Sequence, residues 1–323
     1  MRRQVPLLVV ITPVYNEAAI LSQYADAVAR VLLSRSDVDA RILLVDDGSS
    51  DNSWEIIQRL VSRSNRISAI RLSRNFGAHT ALTAGFDHIP KDADIVATLA
   101  SDLQDPPETI LEFVAEWRKG ADVVWGARRS RADAGWRQAA SHLLETILRR
   151  YAMPRGSRFQ TGSFFLVDRI VIDSFRQFRE HSRSTFALVA WTGFDQTVVQ
   201  YDRLPRTAGR SGWTFLQMVN SAYDVFMGFS LVPAKVFAIL GVVMFFGSVA
   251  VGTYLTINWL THNVLAGWTG LITTMTTCFG ILFMMVGFIF EYLSRILVET
   301  KNRPLYFVSR RFGPDDACEI RHD

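Results

Sequence analysis

Two acidic segments and a set of arginines carry the side chains of this sequence that are best suited to chemistry. The first segment, residues 46–51, reads DDGSSD, and the second, residues 102–108, reads DLQDPPE. Carboxylates accept hydrogen bonds from ring N–H groups and hydroxyls or bind a hard cation, and guanidinium groups bind phosphates through paired donors. These residue types together predict a site for a ligand that carries hydroxyls and phosphates.

Within the second segment, one residue separates Asp102 from Gln104. In an extended segment alternate side chains point to the same side, so we predict that both side-chain oxygens bind one divalent cation, Mg²⁺ or Mn²⁺. Such an ion neutralises the charge that develops on a diphosphate leaving group. Residues 105–108 also read as a helix start, and residues 46–51 taken alone read as a turn with a helix N-cap. The helix start does not require Asp102 or Gln104.

The elements around these segments are short β-rich runs that alternate with helical patterns. We predict strands over residues 7–12, 41–46, 67–72, 95–99 and 123–127. The alternation predicts an α/β fold with a mainly parallel sheet and helices on both faces. A ligand crevice is expected beyond the carboxyl ends of the strands. Polar residues follow all five runs, at positions 15–17, 47–48, 74–75, 102–104 and 128, so five strand ends are expected to meet at one crevice.

The C-terminal third contains a long stretch without formal charge. Between Lys235 and Glu291 there is no Asp, Glu, Lys or Arg. One bilayer crossing takes about 20 apolar residues, so we predict a two-helix transmembrane hairpin over residues 233–294, with a buried soluble hairpin as the alternative. Lys and Arg flank the hairpin but not its turn, which predicts a multi-pass protein of the cytoplasmic (inner) membrane with both termini in the cytoplasm.

Two further segments have a wide apolar face at helical spacing. Residues 136–151 predict a helix that either lies at the membrane interface or packs on the core, and residues 213–232 predict an amphipathic juxtamembrane helix. The predicted domains are therefore a cytoplasmic catalytic domain (1–212), the juxtamembrane helix (213–232), the hairpin (233–294) and a cytoplasmic tail (295–323). Gly241, Gly247 and Gly252 in the first span suggest self-association through the membrane region, because glycine lets helices approach closely.

Composition restricts the classes of partner. The formal net charge is +4, and the arginines cluster beside the helices predicted to face the membrane. This distribution disfavours a nucleic acid partner and favours anionic lipid head groups. Two cysteines, Cys278 in the second span and Cys318 in the tail, give no disulfide framework.

Four motifs give the sequence a specific resemblance. PVYNE at 13–17, VDDGSSDNS at 45–53, RNFG at 74–77 and SDLQDPPE at 101–108 resemble the family-two inverting glycosyltransferases, which have the Rossmann-like GT-A fold. Within that family the sequence is similar to the polyprenyl-phosphate branch, which includes the dolichol-phosphate mannose synthases and the bacterial bactoprenol glucosyltransferases. The two spans and RTAGRSGW at 206–213 favour the bacterial group, so the likeness covers nearly the whole chain.

The resemblance implies roles for individual residues. It implies a nucleoside site at Pro13, Tyr15, Glu17, Asp46 and Asp47, a metal at Asp102 and Gln104, and phosphate contacts at Arg128, Arg137 and Arg206. The residues expected to be catalytic are Asp102 and these three arginines. Trp191 could stack on the sugar or fill the core, and Arg210 with Arg206 could close a loop over the diphosphate or lie on a solvated basic loop.

The resemblance further implies inverting transfer of a hexose, glucose from UDP-glucose, to undecaprenyl (polyprenyl) phosphate. Other donor sugars of the mannose or aminoarabinose type, or a non-catalytic scaffold that binds nucleotide sugars, are the alternatives. A processive polysaccharide synthase is disfavoured, because the sequence has no Gln-x-x-Arg-Trp element. Ala100 stands where the family has an acid of its metal motif, and Ser163 stands where an acidic base is expected. An acceptor phosphate monoester is largely ionised at neutral pH and needs little help from a base.

Overall fold

The computed structural model describes residues 2–129, 163–181, 184–204, 223, 232–262 and 268–313. The chain divides into two compact units. The first combines residues 1–225 with residues 303–323, and the second comprises residues 226–302. The predicted helices 136–151 and 213–232 lie outside the described residues, apart from Tyr223 and Val232.

The described part of the first unit contains an eight-stranded sheet with the strand order β7-β5-β6-β4-β1-β2-β3-β8. Its strands are β1 (Leu7–Val14), β2 (Asp39–Asp46), β3 (Ile67–Leu72), β4 (Ile95–Thr98), β5 (Val123–Arg128), β6 (Phe165–Asp168), β7 (Gln196–Tyr201) and β8 (Val308–Phe312). Strand β6 runs antiparallel between β4 and β5, and β8 runs antiparallel to β3. The other pairs are parallel, which confirms the mainly parallel sheet.

Helices cover both faces of this sheet. They are α1 (Leu21–Val28), which continues as a π-helical turn (Ala29–Leu33), α2 (Ser53–Arg63), α3 (Ala78–Asp87), α4 (Thr109–Arg118), α5 (Arg169–Phe175) and α6 (Thr185–Trp191). Leu8 and Val10 of β1 belong to a core cluster with residues of α1, α2 and α4. Ile11 points to the opposite face, where its side chain packs on Gly85 of α3. This alternation explains why β1 reads as an unbroken apolar run.

The five predicted strands are confirmed, and three strands were not predicted. β6 has four residues, too few for a clear period, and β7 lies between residues 151 and 213, where we predicted no strand. The third, β8, comes from the segment predicted to be a tail, and it pairs with β3 across more than 230 residues of sequence. Its two arginines, Arg310 and Arg311, are exposed, as is common on an edge strand.

The described part of the second unit contains two long helices, α7 (Val232–His262) and α8 (Trp268–Thr300). Their apolar stretches, Val236–Tyr254 and Thr277–Thr300, have mean hydropathies of 2.2 and 1.9 and are long enough to cross a membrane. The two helices contact each other through Phe237 and Phe288, whose rings stack with centroids 3.9 Å apart. A Cβ on Gly241 would lie 2.8 Å from Cε of Met285, so this glycine serves packing within the pair.

Candidate functional site

The site lies where the strand order reverses. Strands β2 and β3 succeed β1 on one side, whereas β4 adds to the other side of β1. Such a reversal opens a crevice at the carboxyl ends of the strands, and the loops after β1 to β5 therefore border it. The two groups of residues described below come from the β1–β2–β3 side and from the β4–β5–β7 side.

On the first side, the loop after β1 is fastened to the loop after β2. The Oδ1 atom of Asn16 accepts a hydrogen bond from the amide of Ser50 at 2.8 Å, and Oγ of Ser49 accepts one from the amide of Asn16 at 3.0 Å. Asn16 has a φ of 55°, a left-handed conformation that asparagine tolerates better than most residues. Beside it, Tyr15 is 47% exposed. The fastened loops hold this aromatic ring at the crevice, where a planar base could stack.

Asp46 is fully buried below this loop. Its Oδ2 atom lies 3.1 Å from Nε of Arg71, and its Oδ1 atom accepts from the amide of Ser49 at 3.2 Å. Arg71 also donates to the carbonyl of Ser49 at 2.9 Å and lies over the ring of Trp54. Burial raises the pKa of Asp46, and the contacts with Ser49 and Arg71 oppose this rise. The ion pair of Asp46 and Arg71 therefore stabilises the loop after β2 through its contacts with Ser49.

Asp47 is also buried, and both of its oxygens accept backbone hydrogen bonds. The amide of Phe76 donates to Oδ1 at 2.7 Å, and the amide of Gly77 donates to Oδ2 at 2.9 Å. Burial raises the pKa of Asp47, while these two hydrogen bonds lower it. The described contacts of both aspartates are thus with the protein itself. They determine the shape of the loops after β2 and β3.

Gly48 is required where these loops meet. Its φ is +68°, and a Cβ at this position would lie 2.5 Å from the carbonyl carbon of Arg74. We expect Gly48→Ala to lower the free energy of unfolding by about 3 kcal/mol, since a left-handed backbone and a steric clash both contribute. Gly193→Ala is the matched control, because Gly193 has a φ of +74° with nothing within 4 Å of its Cβ position. Thermal unfolding in detergent should show a loss at least twice as large for Gly48→Ala, and equal losses would contradict the clash.

On the second side, the acidic loop forms a turn. Leu103 has a φ of 54°, and the amide of Gln104 donates to Oδ1 of Asp102 at 3.2 Å. The prediction that Asp102 and Gln104 alternate along an extended segment is therefore wrong. The two residues are still adjacent, but through an Asx turn, in which an aspartate side chain bonds to the backbone two residues on.

The segment after β7 is fastened to this acidic loop. The hydroxyl of Tyr201 donates to Oδ1 of Asp105 at 2.6 Å, and the amide of Leu204 donates to the carbonyl of Gln104 at 2.8 Å. Burial, and then the charge of Asp105, raise the pKa of Tyr201, so its hydroxyl remains a donor. Sequence reasoning missed Asp105 and Tyr201. A signal was present, because polar residues follow the β-branched run of β7 as they follow the other parallel strands.

Arg128 and Ser163 also lie on this side. Arg128 ends β5 with an exposed side chain and hydrogen-bonds to the hydroxyl of Tyr201. The carbonyl of Ser163 accepts a hydrogen bond from Oγ1 of Thr98, the last residue of β4. The resemblance placed Ser163 at the site, and the structure puts its backbone at this carboxyl end.

Trp191 is not brought to this group. Its neighbour Ala190 accepts a hydrogen bond from the side chain of Gln196 at 3.1 Å, and Gln196 pairs with Val123, the first residue of β5. Tyr201 lies at the other end of β7, about 16 Å along the strand. The ring of Trp191 packs instead against Phe178, with centroids 5.7 Å apart. Stacking of Trp191 on a sugar at the crevice does not agree with this placement. Arg137, Arg206 and Arg210 lie outside the described residues.

The donor set suits a divalent cation that shares its shell with a ligand. Within the described ranges there is no cluster of three His, Cys, Asp or Glu side chains. Asp102 and Gln104 offer a carboxylate and an amide oxygen. Mg²⁺ is commonly held by one or two carboxylates together with substrate phosphates and water, so these two residues fit an ion whose shell a diphosphate completes.

A histidine borders the crevice at the start of α3. Nδ1 of His79 accepts from the amide of Thr185 at 3.2 Å, which assigns the ring proton to Nε2. Burial lowers the pKa of His79 from 6.5 to about 4. The unfolded chain therefore binds more protons between these values, and stability falls as the pH drops from 6.5 toward 4.

For wild type we expect the titration of His79 to lower the free energy of unfolding by about 2 kcal/mol as the pH falls from 6.5 to 4. This is less than the full value for the pKa difference, because the ring is partly exposed. His79→Asn keeps an acceptor for Thr185 and removes the titration. The melting temperature in detergent should fall less between pH 7 and pH 4.5 in the variant than in wild type. Parallel profiles for the two proteins would contradict the assignment.

Comparisons with known proteins identify the family of the chain. The family model described as "Glycosyl transferase family 2" matches residues 9–176. An uncharacterized glycosyltransferase of Synechocystis sp. is 35% identical, over 95% of this chain and 96% of its own. The undecaprenyl-phosphate 4-deoxy-4-formamido-L-arabinose transferase of Proteus mirabilis is 31% identical, over 94% of this chain and 93% of its own. A mannosyltransferase from Pyrobaculum calidifontis, solved with GDP-Man and Mn²⁺, superposes with a TM-score of 0.48 at 14% identity over 87% of each chain. The chain belongs to the family 2 glycosyl transferases.

Proposed function

We propose that this glycosyltransferase moves a hexose from a nucleotide donor, UDP-glucose, to the phosphate of a polyprenyl lipid with inversion at the anomeric carbon. The observation that carries the proposal is that Tyr201 joins the acidic loop of Asp102 and Gln104, through Asp105, to Arg128 at the carboxyl end of β5. This arrangement suits a donor that carries a diphosphate leaving group.

In this proposal one side of the crevice binds the nucleoside, and the other side binds the cation and the phosphates. Tyr15 and the loops held by Asp46 and Asp47 bind the nucleoside. Asp102 and Gln104 hold a divalent cation, Mg²⁺ or Mn²⁺, which supplies charge neutralisation for the departing diphosphate. Arg128 orients phosphate oxygens, because a guanidinium presents planar paired donors. Arg137 and Arg206 remain proposed phosphate contacts, and Arg210 a proposed donor-loop contact, on the resemblance alone.

A single in-line displacement then gives inversion. The acceptor phosphate is ionised at neutral pH, so a serine at position 163 in place of an acid is compatible with transfer. What the acceptor needs is orientation behind the anomeric carbon, which contributes to the rate by proximity.

A lipid acceptor is supported by the second unit and by the name of the Proteus relative. Strand β8 follows both long helices in sequence and pairs with β3, which precedes them. A chain whose two helices cross a bilayer must therefore return to the side it left. Together with the flanking Lys and Arg, this supports a sheet on the cytoplasmic face of the inner membrane and both termini on that side.

Membranes containing the protein, incubated with labelled UDP-glucose, undecaprenyl phosphate and Mg²⁺ or Mn²⁺, should form lipid-extractable label. Absence of such label with either cation would exclude the glucose version. The Proteus relative favours a second donor, a 4-amino-4-deoxy-arabinose derivative, which the same extraction assay tests with the corresponding labelled nucleotide sugar. A scaffold that binds nucleotide sugars without transfer would bind UDP and yield no labelled lipid with any donor.

A further inference from the structure

A guanidinium lies between the two carboxylates of the acidic loop. Nε of Arg203 is 3.3 Å from Oδ1 of Asp105, and one of its terminal nitrogens is 3.7 Å from Oδ2 of Asp102. The two carboxylates are nearly buried, with side chains 11% and 5% exposed, and the side chain of Arg203 is 27% exposed. Neither the motifs nor the resemblance drew attention to Arg203.

The two ion pairs of Arg203 differ in length. Asp105 also accepts the hydroxyl of Tyr201 at 2.6 Å, so it has a second partner that fixes its position. The contact with Asp102 is longer and has the distance of an ion pair without a direct hydrogen bond. The same carboxylate is the one proposed to hold the divalent cation. Arg203 and that cation therefore compete for Asp102.

The backbone keeps Arg203 close to the site whichever partner it has. The amide of its neighbour Leu204 donates to the carbonyl of Gln104 at 2.8 Å, and the amide of Gln104 donates to Asp102. A rotation of the Arg203 side chain about this fixed backbone can move its charge from Asp102 without moving the loop. A guanidinium released in this way is a natural partner for phosphate oxygens.

We infer that Arg203 is an exchangeable counter-ion of the metal site. In the absence of donor it pairs with Asp102 and weakens the binding of a free divalent cation. When the donor diphosphate enters with its cation, the guanidinium of Arg203 leaves Asp102 and pairs with the phosphate oxygens. The site thus takes metal and nucleotide together in preference to metal alone. This inference rests on the proposed function in one respect, namely that the nucleotide carries a diphosphate.

The inference predicts changes of opposite sign for two ligands. In Arg203→Gln, Mn²⁺ alone should bind about tenfold more tightly than in wild type, because a competing positive charge is gone. UDP in the presence of Mn²⁺ should bind about tenfold more weakly, because a phosphate partner is gone. Arg203→Lys keeps the charge and should lie closer to wild type in both measurements.

The measurements are Mn²⁺ titration by electron paramagnetic resonance and calorimetry with UDP, both on the full-length protein in detergent. Arg129→Gln is the matched control: it removes an equal charge nearby, where Arg129 pairs with Asp202 at 2.9 Å on the surface. Its Mn²⁺ affinity should change less than twofold.

Equal weakening of both ligands in Arg203→Gln, or an unchanged Mn²⁺ affinity, would overturn the inference. Melting temperatures of both Arg203 variants separate loss of fold from loss of binding. Where Arg203→Gln unfolds, a loss of about tenfold or more in both affinities in the charge-preserving Arg203→Lys would overturn the inference. Failure of labelled lipid to form leaves these binding results as they are. The proposed reaction and the role of Arg203 are therefore tested separately.

Discussion

Replacement of Asp102 by Asn should reduce kcat/KM for sugar transfer about 10³-fold, corresponding to about 4 kcal/mol of transition-state stabilisation. Asp102 is the carboxylate that, with Gln104, fits a divalent cation at the crevice, and the leaving diphosphate develops its charge there. The side-chain oxygen of Asn can still accept the hydrogen bond that the backbone N–H of Gln104 donates at the turn. The folded loop should therefore survive while the charge is lost, and transfer of label to extracted lipid measures the effect.

Asp202→Asn is the control for this substitution. Asp202 lies in the segment fastened to the same loop, but its described partner is the exposed Arg129. We expect transfer by Asp202→Asn to stay within about twofold of wild type, because exposed ion pairs contribute little. Full activity of Asp102→Asn at saturating Mg²⁺ would refute the metal assignment. Full binding of UDP with no transfer by wild type would support the scaffold alternative.

Replacement of Arg71 by Met should cost about 3–5 kcal/mol of stability, because it leaves the fully buried carboxylate of Asp46 without its charged partner. Met keeps most of the apolar contact with Trp54, so the loss reports the ion pair. The base of the loop after β2 also loses the hydrogen bond from Arg71 to Ser49. Thermal unfolding in detergent should show the loss, and the affinity for UDP should fall with it.

A double variant separates the charge from the packing. Asp46→Asn combined with Arg71→Met removes both charges and keeps an acceptor for the amide of Ser49. This variant should recover at least half of the stability lost by Arg71→Met, since an uncharged buried group is less costly than an unpaired carboxylate. If the double variant is less stable than Arg71→Met, the destabilisation does not come from the unpaired charge of Asp46.

The central sheet could be predicted from the sequence because its strands carry their own signal. Buried parallel strands are apolar on both faces, and most of the strands β1 to β5 show this pattern, with polar residues following them. Strands β6 and β8 could not be found in this way. They are short and antiparallel, and their pairing partners, β4 and β3, are distant in sequence, so nothing in the local pattern requires a strand.

The candidate site was predicted in its location better than in its detail. From the sequence, Asp46 was predicted to bind the ligand. In the structure its carboxylate pairs with Arg71, 25 residues later in the chain. The direction of the Asp102 side chain depends on the left-handed conformation of Leu103. That conformation is uncommon for an apolar residue, so the sequence does not predict it. Arg203 depends on a contact between segments about 100 residues apart. Each of these facts is decided by tertiary contacts that the motif spacing does not contain.

Strand β8 also determines when the protein can finish folding. Synthesis proceeds from the N-terminus, so β1 to β7 emerge before the two long helices, and β8 emerges after them. Until then β3 is the last strand on its side of the sheet and exposes an unpaired edge, which is prone to wrong pairing. The sheet is therefore completed only after the apolar helices have been made. Insertion of the helices into a bilayer would in this way precede a finished sheet, and a chain shortened before Val308 would keep an open edge at β3.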